Sequence, residues 1–450
     1  MHPLRIALLL LLLAAPAAAE SDGESVAFAA DALIFGDAEE TDAAVDYLTR
    51  RGDADVAASA ILALRFGAAR RTQLVGLLQH LTGHKAETWH DWMLWQEVHP
   101  EIRPHPSFRT LALKVLQEID PNFLVFFPDQ NLRIRLEEIA WGGVPALDGI
   151  PALDRPARIS AADADYLLDD DLVFGIAING EARAYPLRIL GWHEMVNDVL
   201  GGVPVALAYC TLCGAGILYE TWLPGRAEPF VFGSSGLLYR SNKLMFDWET
   251  LSLWNQFTGE PVSGPLADSG LVLRQRPIAV TSWAAWRARQ PETSVLSLDT
   301  GYTRDYGSGV VYSDYFDSAA LMFPAVVADQ RLLAKDFVFG MRTAGAAKAW
   351  PLSGFAGGRV IDDALGRQPV VLIGWESRRE VLAYDRGAHS FAAASTPDRL
   401  LDESGTAWTL SEEALIGPGG ERLSRLPGHV AYWFAWDSFV GVASELYEVP

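Results

Sequence analysis

One pattern in this chain occurs twice at a fixed spacing. Asp171-Leu-Val-Phe-Gly-Ile-Ala-Ile-Asn-Gly-Glu-Ala-Arg-Ala-Tyr-Pro-Leu187 is matched 165 residues later by Asp336-Phe-Val-Phe-Gly-Met-Arg-Thr-Ala-Gly-Ala-Ala-Lys-Ala-Trp-Pro-Leu352. At the same spacing Asn197-Asp198 falls on Asp362-Asp363, and Gly201, Pro204 and Val205 fall on Gly366, Pro369 and Val370. No gap separates the two blocks. A constant offset over both predicts an internal duplication, and so a fold in which one supersecondary unit is used twice.

The unit itself reads as β structure. Leu172 to Ile178 is apolar and β-prone, Asn179-Gly180 is a two-residue hairpin turn, and Glu181 to Tyr185 is the returning strand. Pro186 is expected to open a helix running to about Val199, with a buried strand over Val203 to Tyr209. Ahead of this, Asp55–Arg65, Gln73–His80 and Ser107–Ile119 carry helix formers with apolar residues at helical spacing, and Pro100, Pro104 and Pro106 separate helices. The fold class is therefore α+β, an N-terminal helical domain followed by a duplicated β-rich module. The expected division is a signal peptide over 1–19, a helical bundle or solenoid-like domain over 24–125, a first module over 130–300 and a second over 301–450.

The first residues have the form of a secretory leader. Arg5 supplies a positive charge, Ile6 to Leu13 an apolar run, and Ala17-Ala18-Ala19 a small-residue cleavage site. The run is short for a bilayer span, and no later stretch is long enough, so no integral span is expected once the leader is removed; an uncleaved anchor is the alternative. The mature protein is expected in the periplasm or outside the cell, where close thiols can oxidise. A formal charge of −21 argues against nucleic acid as a partner, because phosphate binding needs clustered Lys and Arg.

The only two cysteines, Cys210 and Cys213, share one motif, Tyr209-Cys-Thr-Leu-Cys-Gly214. Three chemistries use a Cys-x-x-Cys pair. A thioredoxin-like site opens a helix, but Gly214-Ala-Gly216 and Ile217-Leu-Tyr219 make a poor helix start. Haem attachment needs His next, where Gly214 stands. A knuckle between two strands presents two thiolates to a soft or borderline metal. His193 is the candidate third ligand, on the expected helix with Ile189, Leu190 and Val196; a core histidine satisfied by a backbone carbonyl fits the same pattern. Met245 is the candidate fourth, with core packing as the alternative, and that donor set favours copper over zinc or iron. Asp247 and Glu194 are candidates for a ligand role or for supporting a ligand, with a solvated or capping carboxylate as the alternative. In the second copy, His193, Cys210 and Cys213 correspond to Gly358, Trp375 and Arg378. Three chemically capable residues disappear together while the glycines and prolines persist.

Other features carry less. Gly233-Ser-Ser-Gly236 lacks the lysine and spacing of a phosphate loop and is no nucleophile elbow. Ser241, Asn242, Trp254, Asn255 and Gln256 have the composition of a pocket wall. His80 and His84 stand at i, i+4, but Gly83 interrupts their helix.

Several motifs in fixed order resemble the domain-of-unknown-function 3179 family: Trp141-Gly-Gly-Val144, Asp148-Gly-Ile-Pro151, Ala182-Arg-Ala-Tyr-Pro-Leu187, Trp192-His-Glu-Met-Val-Asn-Asp198, the cysteine motif, Gly236-Leu-Leu-Tyr239 and Ser252-Leu-Trp254. The resemblance covers roughly residues 130 to 440. It implies a family pattern with Pro after the first cysteine, where this chain has Thr211, and it underlines His193, Cys210 and Cys213 without implying a reaction. Three functions stay open from the residues: an exported metal-binding protein, copper favoured, acting on a metal ion or small molecule; a thiol–disulfide oxidoreductase; or a binding module with a local disulfide. Neither a substrate nor a protein partner follows from the sequence.

Overall fold

The computed structural model describes residues 23–450 except 68, 69 and 148; the expected leader lies outside these. Two units divide the chain. One runs to Leu124 and takes in Arg135–Ile139, and the other holds Val125–Ile134 and Ala140–Pro450.

The first unit is helical. Ala38–Arg51 opens on a capping box, with the Asp37 side chain accepting from the Glu39 and Glu40 amides, and ends at Gly52 in the left-handed region, satisfying backbone groups that a helix end leaves open. Ala57–Phe66, Arg71–Thr82, Trp89–Val98 and Ser107–Ile119 follow. Their apolar faces close over Leu48, Ile61, Leu78 and Trp92, all fully or almost fully buried. Gly83 (φ 71°) caps the helix that carries His80, so His84 falls beyond it and the i, i+4 pair of imidazoles does not form on one face.

In the second unit, strands Leu172–Ile178 and Glu181–Pro186 form the hairpin, turned by Asn179 and Gly180 at φ 51° and 81°. The strand Ala279–Ser282 joins it antiparallel, and Ser294–Leu296 joins the other edge parallel. The helix Trp283–Arg289 connects these two outer strands. Phe337–Thr343 and Ala346–Pro351 form a second hairpin, flanked in the same senses by His429–Tyr432 and Ser444–Leu446, with Trp433–Val440 as the connecting helix.

After each hairpin comes a three-strand meander: Met195–Leu200, Val203–Cys210 and Ala215–Glu220 in the first case, Arg359–Leu365, Gln368–Trp375 and Glu380–Asp385 in the second. The two stretches share packing as well as order. Gly175 leaves space for Trp286, and Gly340 for Trp436; a Cβ on either glycine would stand 2.2 and 2.0 Å from the indole. They also share a single apolar core, in which Phe174, Ile189 and Leu207 cluster with Phe339, Trp350 and Val370.

One expected element is corrected. The helix after Pro186 stops at His193, and Met195–Leu200 is a strand rather than the continuation to Val199. Ile189, Leu190 and Val196 fit helical spacing, but Glu194 takes a left-handed conformation (φ 55°) that ends the helix. The following residues pair along their full length with Val203–Cys210 through the Gly201-Gly202 turn.

Candidate functional site

The cysteine motif is the turn between strands Val203–Cys210 and Ala215–Glu220. The Cys213 amide donates to the Cys210 carbonyl at 3.2 Å and the Gly214 amide to the Thr211 carbonyl at 3.3 Å, closing a tight bend. Gly214 is required twice over. Its φ is +58°, and a Cβ there would come within 2.9 Å of the Phe337 ring. The buried Gln256 amide ties the two strands together by donating to the Ala208 and Ala215 carbonyls.

This bend sets the two sulfurs 2.7 Å apart. Both are covered, Cys210 being 2% exposed and Cys213 0%. The Cys213 thiol also lies 3.0 Å from Asn242 Oδ1 and 3.4 Å from the Ser241 carbonyl, both acceptors. Burial, and then the neighbouring Cys210 sulfur, push the Cys213 thiol well up from its ordinary value, so this sulfur holds its proton.

Polar groups rare in a protein interior surround the bend. Lys243, 3% exposed, donates from Nζ to the Glu194 carbonyl at 2.7 Å and stands 3.7 Å from Glu194 Oε2. Burial lowers its pKa, opposed by the Glu194 carboxylate and the two sulfurs. The Thr211 hydroxyl donates to Glu194 Oε1 at 3.0 Å, and Tyr312, pushed up to about 12 by burial, stands beside Thr211. The Tyr315 hydroxyl donates to the Leu212 carbonyl at 2.7 Å. Glu194, Ser241 and Tyr312, all touching the motif, are non-glycine residues with left-handed φ of 55°, 62° and 57°. Such backbone conformations cost about 1–3 kcal/mol each and concentrate where a site must be held in one geometry.

His193 is fully buried, and both of its ring nitrogens have partners other than the cysteines. Its Nδ1 lies 2.8 Å from the Pro151 carbonyl and its Nε2 lies 2.6 Å from the Tyr306 hydroxyl. Because a carbonyl can only accept, Nδ1 carries the proton and Nε2 accepts from Tyr306. Both nitrogens are engaged, so the imidazole offers no lone pair to an ion held by the cysteines. Met245 is fully buried on the strand Asn242–Asp247, paired with Ser234 and Trp254. Asp247 is occupied in its own turn, accepting from the Thr250 amide and the Trp254 indole. Among the described residues no group of three or more His, Cys, Asp or Glu side chains is placed to hold a metal ion.

The structure thus joins Cys210 and Cys213, engages both His193 nitrogens with Pro151 and Tyr306, and adds residues that sequence reasoning missed: Lys243, Thr211 as a hydroxyl, Tyr306, Tyr312 and Tyr315. A signal existed for Lys243, a single lysine within the apolar run Asn242-Lys-Leu-Met-Phe-Asp247. The tyrosines lie in an aperiodic segment and had none.

A family model described as "Protein of unknown function (DUF3179)" matches residues 147–443. No curated protein and no solved structure gives a match.

Proposed function

The chain belongs to the DUF3179 family of proteins of unknown function, and from that premise we propose that the Cys210–Cys213 pair is a dithiol–disulfide redox centre. The 2.7 Å sulfur separation carries this reading. Two thiolates on one tetrahedral ion, each at about 2.3 Å, stand about 3.8 Å apart, whereas a disulfide closes at about 2.05 Å. The two free thiols lie close enough to join with a small movement, and His193 is engaged elsewhere. The expected ligand set of Cys210, Cys213, His193 and Met245 therefore has less support than the pair alone.

The electron acceptor is a disulfide-bearing molecule. The Cys210 sulfur attacks one sulfur of that disulfide, a new S–S bond forms, and the other sulfur leaves as a thiolate that takes up a proton. The Cys213 sulfur then attacks Cys210 in the mixed disulfide, forming Cys210–Cys213 and releasing the second thiol. Two electrons and two protons pass to the acceptor. Cys210 is the attacking sulfur because Cys213 is the more enclosed of the two, fully buried and held by the Asn242 Oδ1 and Ser241 carbonyl acceptors. Lys243, anchored on Glu194, brings a positive charge that stabilises each thiolate as it forms. A compartment outside the cytoplasm suits a pair that cycles this way, in keeping with the leader read at the N-terminus.

Equilibration of the full chain across a series of oxidised and reduced dithiothreitol mixtures tests the proposal. After alkylation, intact mass reports a reversible transition in wild type that is absent in Cys210→Ser and Cys213→Ser. A wild-type pair that never closes, yet retains Cu(I) that the double serine variant releases, replaces this proposal with the copper reading.

A further inference from the structure

Residues 297–336 form a long connection with one short helix, Ser313–Asp317, and no strand. Connections of this length without regular structure are uncommon in a folded unit and usually have work of their own. This one passes over a particular platform. Gly191 faces Val311 so closely that a Cβ on the glycine would stand 2.4 Å from Val311 Cγ1. The Trp192 indole donates to the Asp305 carbonyl at 2.8 Å. His193 Nε2 accepts from Tyr306, whose hydroxyl also meets Thr300 Oγ1 at 2.6 Å. Beyond that latch the same connection reaches the cysteine bend, where the Tyr315 hydroxyl donates to the Leu212 carbonyl at 2.7 Å. Lys335 pins its far end, donating to the Tyr315 and Ser318 carbonyls at 2.6 and 2.7 Å.

The second stretch supplies the comparison. At the 165-residue spacing, Gly191-Trp192-His193 corresponds to Ala356-Gly357-Gly358, and Cys210 and Cys213 to Trp375 and Arg378. The groups that hold the connection and the sulfurs beneath it are present together and absent together. The geometry points to one arrangement: Gly191, Trp192 and His193 are positioning residues that seat residues 300–317 as a strap over the dithiol, and a disulfide substrate reaches Cys210 only when the strap lifts. The role of His193 is to hold this cover through Tyr306. The inference rests on the redox proposal for what passes beneath the strap, but the covering itself does not depend on it.

Gly191→Ala is the decisive variant, because alanine is the residue at the corresponding place in the second stretch and favours a helix more than glycine does, yet its methyl pushes Val311 away. Reduced full-length protein is labelled with iodoacetamide, and thermal unfolding is followed in parallel. Gly191→Ala and Tyr306→Phe are each expected to speed labelling of Cys210 about tenfold, as a local opening that becomes more populated does. Adding Val311→Ala to Gly191→Ala is expected to return the labelling rate, and any lost midpoint, towards wild type. Labelling of both single variants at the wild-type rate overturns the inference. So does faster labelling that comes only with a lowered midpoint in Gly191→Ala and no rescue by Val311→Ala, since that is general loosening. Closure of the pair in dithiothreitol mixtures is read on the same samples. Altered labelling without closure defeats the redox proposal alone, and closure with unaltered labelling defeats the strap alone.

Discussion

Tyr306 donates its hydroxyl to Nε2 of His193 across 2.6 Å, and this single bond changes what the histidine is for. With Nδ1 committed to the Pro151 carbonyl, the ring is a latch with both ends fastened. Its burial, which lowers its pKa, keeps it neutral and so able to accept from Tyr306.

His193→Gln should therefore leave any Cu(I) retention by the reduced protein unchanged relative to wild type, while Cys210→Ser with Cys213→Ser abolishes it. Competition with a Cu(I) chelator measures both. A large loss of retention in His193→Gln would restore the imidazole as a ligand.

Gly175→Ala and Gly340→Ala should each destabilise the second unit by about 1–3 kcal/mol or more, the cost of forcing atoms into a filled core. Each new methyl would meet an indole, Trp286 or Trp436, that has no room to move, since both are 0% exposed. Denaturant unfolding checks this, and equal losses are expected because the two sites repeat one packing.

Arg183 pairs with Asp198 in the interior, with side-chain exposures of 1% and 4%, and Lys348 pairs with Asp363 at 13% and 18%. Asp198→Ala leaves Arg183 with Glu181 as its remaining carboxylate and the buried Tyr185 hydroxyl without its acceptor, and should cost about 1–3 kcal/mol. Asp363→Ala should cost clearly less, because water reaches Lys348. Chemical denaturation of the two variants gives the ranking, and the reverse order would count against the burial argument.

Acid should destabilise the fold through His429. Burial, and then the Arg342 charge, hold its pKa down to about 3 from an ordinary value of 6.5. The folded protein keeps this ring neutral where the unfolded chain protonates it. Its contribution is then complete above about pH 6.5 and is lost as the pH falls towards 3, by about 2 kcal/mol at pH 5. Unfolding free energies measured from pH 7 to pH 4 should fall less steeply in His429→Phe than in wild type.

How much of this was legible in the sequence follows the physics of each element. The hairpin over Leu172–Pro186 declares itself because a β-prone apolar run and an Asn-Gly turn are local signals. The helix after it reads as too long in the sequence because Ile189, Leu190 and Val196 share a helical spacing, and only the left-handed Glu194 with long-range pairing to Val203–Cys210 decides the matter. The cysteine bend was readable from spacing. Its surroundings were not: Lys243 and Glu194 meet across 49 residues and Leu212 and Tyr315 across 103, and no short-range pattern encodes such contacts. His193 was singled out correctly as buried, but which groups its nitrogens face depends on Pro151 and Tyr306, 42 and 113 residues away in the chain.

The most direct test of a redox pair with Cys210 in the attacking role is to trap its intermediate. Cys213→Ser protein, incubated with a small disulfide such as cystamine, should accumulate a mixed disulfide on Cys210 by peptide mass spectrometry, and Cys210→Ser should accumulate little or none on Cys213. Equal adducts on both variants, or none on either after the strap has been opened by Gly191→Ala, would contradict the account.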